Sequence, residues 1–76
     1  MPRLGPIKRD AFIDKLKALG FEGPFPGSRH DLMKFGEYSQ TLPRYDEYST
    51  DMHSRLLKQV ERGIGRKLSR EEWQAL

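Results

Sequence analysis

Between Glu22 and Ser28 the chain reads Glu-Gly-Pro-Phe-Pro-Gly-Ser. Two prolines and two glycines in seven residues forbid a helix, because proline lacks the amide proton and glycine leaves the backbone free. Whatever forms here is irregular, and it divides the chain into two parts. Proline is tolerated at the edge of a sheet, so the segment allows a short edge strand over residues 21–25. Before it, Phe12, Ile13, Leu16 and Leu19 recur at helical spacing and form one apolar stripe. Gly20 follows the stripe and suits a left-handed cap, with Phe21 folding back onto Leu16.

Past the break, residues 29–35 alternate. Met33 and Phe35 share an apolar face, and His30, Leu32 and Lys34 take the other. Gly36-Glu37 reads as a hairpin turn, and Tyr38 to Pro43 reads as the returning strand, which Pro43 ends. Residues 44–50 read as a loop. Thr50 or Asp51 then caps a second helix with the stripe Met52, Leu56, Leu57, Val60 and Ile64, closed by Gly63 and Gly65. Ser69-Arg70-Glu71-Glu72 has the capping-box pattern and opens a short last helix carrying Trp73 and Leu76. Residues 1–7, with Pro2, Gly5 and Pro6, read as an arm. The expected fold is one α+β domain over 1–76: two helices on one face of a small antiparallel sheet, in the α-β-β-β-α order of double-stranded-RNA-binding domains.

Composition narrows the chemistry. With 76 residues and no cysteine, the chain has no disulfide framework and no thiol nucleophile. Two histidines make a multi-histidine metal cage improbable, so neither metal nor cofactor is expected. No apolar run approaches the roughly 20 residues of a membrane span, and the opening residues do not resemble a secretory signal. A cytoplasmic protein is expected. Fourteen basic against eleven acidic residues give a net charge of +3, a mild bias toward a polyanionic partner. The surplus lies in residues 1–20 and 51–76, and the middle segment is locally acidic.

Gly27-Ser28-Arg29-His30, a few residues after a helix ending Leu19-Gly20-Phe21, resembles the HicA (YcfA-like) toxin family of toxin–antitoxin pairs. Members carry Gly-Ser-x-His at the start of the second strand. Leu42-Pro43-Arg44 resembles the family's apolar-Pro strand end, and Ser54-Arg55-Leu56-Leu57-Lys58-Gln59-Val60 resembles its second helix. Pro6-Ile7-Lys8-Arg9 and Leu68-Ser69-Arg70-Glu71-Glu72-Trp73 are similar to a subgroup. Tyr45-Asp46 stands where many members have His-Pro. The resemblance implies an endoribonuclease that cleaves mRNA and is neutralised by a HicB-like antitoxin protein. A non-catalytic RNA-binding module of similar fold, or a decayed member acting only through protein pairing, are the alternatives.

On that reading His30 is the candidate general acid or base. An imidazole titrates near neutrality and can take the proton of a 2′-hydroxyl or give one to the leaving oxygen. A strand position after the Gly-Ser turn would hold it on the open sheet face. Gly27 and Ser28 can offer backbone amides and a hydroxyl to a phosphate. Arg29, Lys34 and Arg44 are the candidate cations for RNA. Tyr38, Tyr45 and Tyr48 can stack on bases, although core edge or partner surface is the plainer role. His53 falls in the first turn of the second helix, where the dipole disfavours a cation, and is expected neutral, on the surface and without a role.

Overall fold

The computed structural model describes residues 4–76, so the part of the expected arm formed by Met1, Pro2 and Arg3 lies outside the described residues. The fold is α+β. A helix α1 (Arg9–Leu19) leads into strands β2 (Glu22–Phe25), β3 (Asp31–Phe35) and β4 (Tyr38–Leu42), then into α2 (Thr50–Ile64) and α3 (Arg70–Ala75). Two further strands, β1 (Ile7–Lys8) and β5 (Glu47–Tyr48), pair with each other. The three-stranded sheet has the order β2-β3-β4, all antiparallel, with β3 in the centre.

The ends of α1 follow from local chemistry. Gly20 adopts φ 111°, and the amides of Gly20 and Phe21 donate to the carbonyls of Lys17 and Leu16. This is the two-bond ending that the Leu-Gly-Phe sequence called for, and both Leu16 and Phe21 are in the core. At the other end no side chain caps the helix. Instead the Arg9 amide donates to the Asp46 carbonyl at 2.9 Å, so a distant loop satisfies one of the orphan donors. That bond continues the β1–β5 pairing, with Ile7 opposite Tyr48 and Lys8 opposite Glu47. Residues 44–50 are therefore not simply a loop, and residues 4–7, the described part of the expected arm, are not free: Ile7 lies in β1 and the Gly5 carbonyl meets His53. A two-residue strand has no periodicity to read, and only the tertiary fold brings its partner alongside.

In the hairpin β3–β4, Met33 opposes Gln40 and Phe35 opposes Tyr38 across a two-residue turn at Gly36-Glu37. Met33, Gln40 and Leu42 are fully buried, and they face Phe12 and Leu16 of α1 and Leu56, Leu57 and Val60 of α2. The opposite face, with Phe25, Lys34, Ser39 and Thr41, is exposed. β2 is the irregular edge foreseen for it, with a cis Gly23–Pro24 bond and a register shift between Glu22 and Phe25.

Three details of the helical half differ from expectation. The cap of α2 is Ser49, not Thr50 or Asp51: Ser49 is extended, and its hydroxyl accepts from the Met52 amide at 3.2 Å. Gly63 does not end α2. The helix runs on to Ile64, and Gly65, at φ 78°, closes it. Gly63 is instead a contact point, since a Cβ there would lie 2.2 Å from the Tyr38 ring.

The third detail is His53, which is buried rather than on the surface, at 4% exposure. Its Nε2 accepts from the Trp73 indole N–H at 2.9 Å, and its Nδ1 lies 2.8 Å from the Gly5 carbonyl. An indole can only donate and a carbonyl can only accept, so the proton must sit on Nδ1. The ring is neutral, as expected, but the reason is burial and the acceptor role that Trp73 imposes on Nε2. Burial lowers its pKa below the ordinary 6.5 against the opposing pull of the Gly5 carbonyl, and the nearby charges of Arg70 and Lys15 push the same way as burial. α3 thus docks through Trp73 onto α2, while Lys15 of α1 donates to the Trp73 carbonyl at 2.9 Å. Ser69 caps α3 through the Glu72 amide, but the Glu72 carboxylate pairs with Arg66 rather than completing the box.

Candidate functional site

Residues 27–30 connect β2 to β3 and reverse the chain. Gly27 sits so close to the His30 carbonyl that a Cβ would lie 2.2 Å from its oxygen. Only glycine fits without moving the backbone, which gives the Gly in Gly-Ser-Arg-His a steric cause. Arg44, just past β4, donates to the Gly27 carbonyl at 2.7 Å and to Asp31 at 3.1 Å. Arg9, the first residue of α1, donates to the other oxygen of Asp31 at 2.5 Å. One carboxylate thus ties α1, the loop, β3 and the segment after β4 together. The Tyr48 hydroxyl donates to the Pro43 carbonyl at 2.8 Å and fixes the same corner.

His30 is not a strand residue. It occupies the bend just before Asp31 opens β3, and its side chain is exposed. The tight loop explains the difference: the chain must turn within Gly27 to His30, so the ladder with β4 begins only at Asp31 opposite Leu42. Ser28 and Arg29 are exposed beside it. Arg44 is half committed, since its guanidinium is engaged by Asp31 and by Gly27. Lys34 is on the open sheet face with its ammonium 5.4 Å from the centre of the Phe25 ring. Four residues of strand place it about 13 Å from His30. The structure therefore gathers Gly27, Ser28, Arg29, His30 and Arg44 at one end of the hairpin and leaves Lys34 apart from them.

The tyrosines separate in the same way. Tyr48 is fully buried, and burial raises its phenol above the usual value while Arg9 pulls in the opposite direction. Tyr38 is half-buried, its pKa raised by desolvation, and its hydroxyl lies 2.5 Å from Gln40 Oε1 and 3.0 Å from the Gln59 carbonyl. Only Tyr45, at 60% exposure, offers its ring to solvent.

Arg9 and Asp31 were not among the residues picked from the sequence, though both left a signal. Asp31 shares the strand face of Met33 and Phe35, which points into the core. A carboxylate on that face needs a cation. Arg9 begins a helix, where the dipole disfavours positive charge, so an arginine there calls for a nearby anion.

Chemically, the corner presents an exposed imidazole on a loop braced by a Cβ-free contact and an ion-paired cluster. Two guanidiniums share one carboxylate there, and Asp10, Asp46 and Glu47 border Arg9. No family model, no curated protein and no solved structure matches this chain.

Proposed function

We propose that the chain is a HicA-type toxin, a cytoplasmic endoribonuclease that uses His30 as general acid or base on mRNA and is silenced by a HicB-like antitoxin covering that corner. The observation that carries the reading is the placement of His30: exposed, on a loop held by Gly27 and Arg44, beside the Arg9–Asp31–Arg44 ion-pair cluster. The Gly-Ser-x-His resemblance supplies the rest. His30 takes the proton of a ribose 2′-hydroxyl, whose oxygen attacks the adjacent phosphorus. The 5′-oxygen leaves, taking a proton from solvent water, and a 2′,3′-cyclic phosphate remains. Arg29, with Arg44 behind it, offsets the charge that builds on the phosphate.

The test is cleavage of RNA by the wild type beside His30→Ala, with circular dichroism on both. An exposed bend residue contributes little packing, so the variant should fold. A general acid or base contributes about 10²–10⁴-fold, so the rate should fall by at least about a hundredfold. RNA binding should persist, since Lys and Arg supply the phosphate attraction. Undiminished cleavage by folded His30→Ala would end the catalytic reading and leave the binding module.

A further inference from the structure

The strongest charge on the molecule lies away from His30. Residues 58–70 hold five basic side chains and one acidic, a charge of +4, against +3 for the whole chain; all other residues together carry −1. The fold gathers this segment into one groove at the junction of α2 and α3, lined by Lys58, Glu61, Arg62, Arg66, Lys67 and Arg70. The Glu61 carboxylate is turned to the Leu68 amide, 2.7 Å away, and Arg66 pairs with Glu72. Among the described residues Lys58, Arg62 and Lys67 make no ion pair. Like charges held this close repel one another, and nothing in the core requires them there.

We propose that this groove grips the phosphate backbone of single-stranded RNA. The cations are spread along a track rather than converging on one point: Lys58 and Arg62, one helical turn apart, are about 6 Å apart along the axis. No buried polar side chain lines the groove to define a single small ligand. Nor does it hold any of the exposed large apolar residues, Phe25, Tyr45 and Leu76, that a membrane surface would require. Spaced, uncommitted Arg and Lys suit serial phosphates. That the backbone is RNA rather than DNA rests on the proposed function; the polyanion itself rests on the groove.

The groove is also placed to extend a grip beyond the His30 corner. Gly63 packs on Tyr38, at the turn end of the β3–β4 hairpin. His30 is at the opposite end, five residues from Phe35, about 17 Å away. RNA held at both ends would run along the molecule.

The test is fluorescence anisotropy with a fluorescein-labelled 20-nucleotide single-stranded RNA of mixed sequence, titrated at several salt concentrations. Arg62→Glu/Lys67→Glu should weaken binding at least tenfold and lower the salt slope by about 1.4, at about 0.7 per phosphate contact on a single strand. Ala11→Glu/Lys17→Glu/Ala18→Glu, the same change of −4 in net charge on the exposed side of α1, should stay within twofold of the wild type. If the reversal fails to fold by circular dichroism, Arg62→Gln/Lys67→Gln replaces it, with the same slope change expected. Equal affinity and slope for groove variant and wild type would overturn the proposal, as would an equal loss in the α1 control. A DNA of the same sequence bound while the RNA is not would overturn RNA as the occupant. Cleavage is read in a separate assay, and a wild type inactive there whose binding still depends on the groove would sink the His30 reading and leave the polyanion groove standing.

Discussion

At the scale of single residues, burial imposes the strictest terms on His53. Its Nε2 is fixed as an acceptor by the Trp73 indole, so a second proton would set N–H against N–H in the interior. Burial lowers the folded pKa from 6.5, Arg70 and Lys15 add to the effect, and the bond to the Gly5 carbonyl opposes it. The unfolded chain, titrating near 6.5, binds more protons than the folded one below that pH. The stability that neutral His53 contributes is therefore complete above about pH 6.5 and is lost as pH falls toward the lowered folded value. Urea melts from pH 8 to 5 should show a plateau and then a decline on the acid side, and a His53→Gln variant should show a shallower one. NMR titration of the ring checks the cause directly. A His53 that titrates at or above 6.5 in the folded protein would refute it.

At the scale of elements, the contact between α2 and β4 turns on the absence of a side chain. Replacing glycine by alanine inside a helix ordinarily stabilises by about 1 kcal/mol. At Gly63 the added methyl would overlap Tyr38, which packs against Phe21 and is tethered by Gln40 and Gln59. Overpacking of this kind costs about 1–3 kcal/mol, and displacing Tyr38 also loosens the buried Gln40, whose amide donates to Gln59 Oε1 at 2.8 Å. Gly63→Ala should lower the melting temperature, and a rise would show that Tyr38 yields freely. The sequence hid this, because Gly63 and Gly65 look alike as helix terminators and only the packing separates them. Elements with a period or a cap were legible: both apolar stripes, the Gly20 ending, the Gly36-Glu37 turn and the Met33 face. β1 and β5 were not, because a two-residue pairing leaves no pattern. Of the candidate site, the Gly-Ser-Arg-His loop was legible as a motif. Its bracing by Arg9 and Asp31 was not, because their 22-residue separation is closed only by the fold.

At the scale of the whole molecule, the chain has little core to spare. Its radius of gyration is 11.6 Å, close to the ~11 Å expected of a well-packed chain of this length. Stability of about 0.05–0.15 kcal/mol per residue gives a domain of this size only ~4–11 kcal/mol in total. Phe12 stands at the centre of the helical half, its ring 5.4 Å from Trp73, 5.6 Å from Tyr48 and 5.9 Å from His53. Three of these four residues come from separate segments near the two ends and the middle of the chain, and Trp73 arrives on a helix of only six residues. So short a helix has no stability of its own. It persists because Trp73 is fully buried and Lys15 holds its last carbonyls. Trp73→Ala removes the indole, opens a cavity beside Phe12 and strands Nε2 of His53, at a cost of about 3–5 kcal/mol. That is about a quarter or more of the total available. We expect the variant to be partly unfolded at 37 °C, with α3 exchanging its amides at the rate of an unfolded peptide even at lower temperature. A melt within a few degrees of the wild type would show that α3 is an appendage and that α1, α2 and the sheet stand without it.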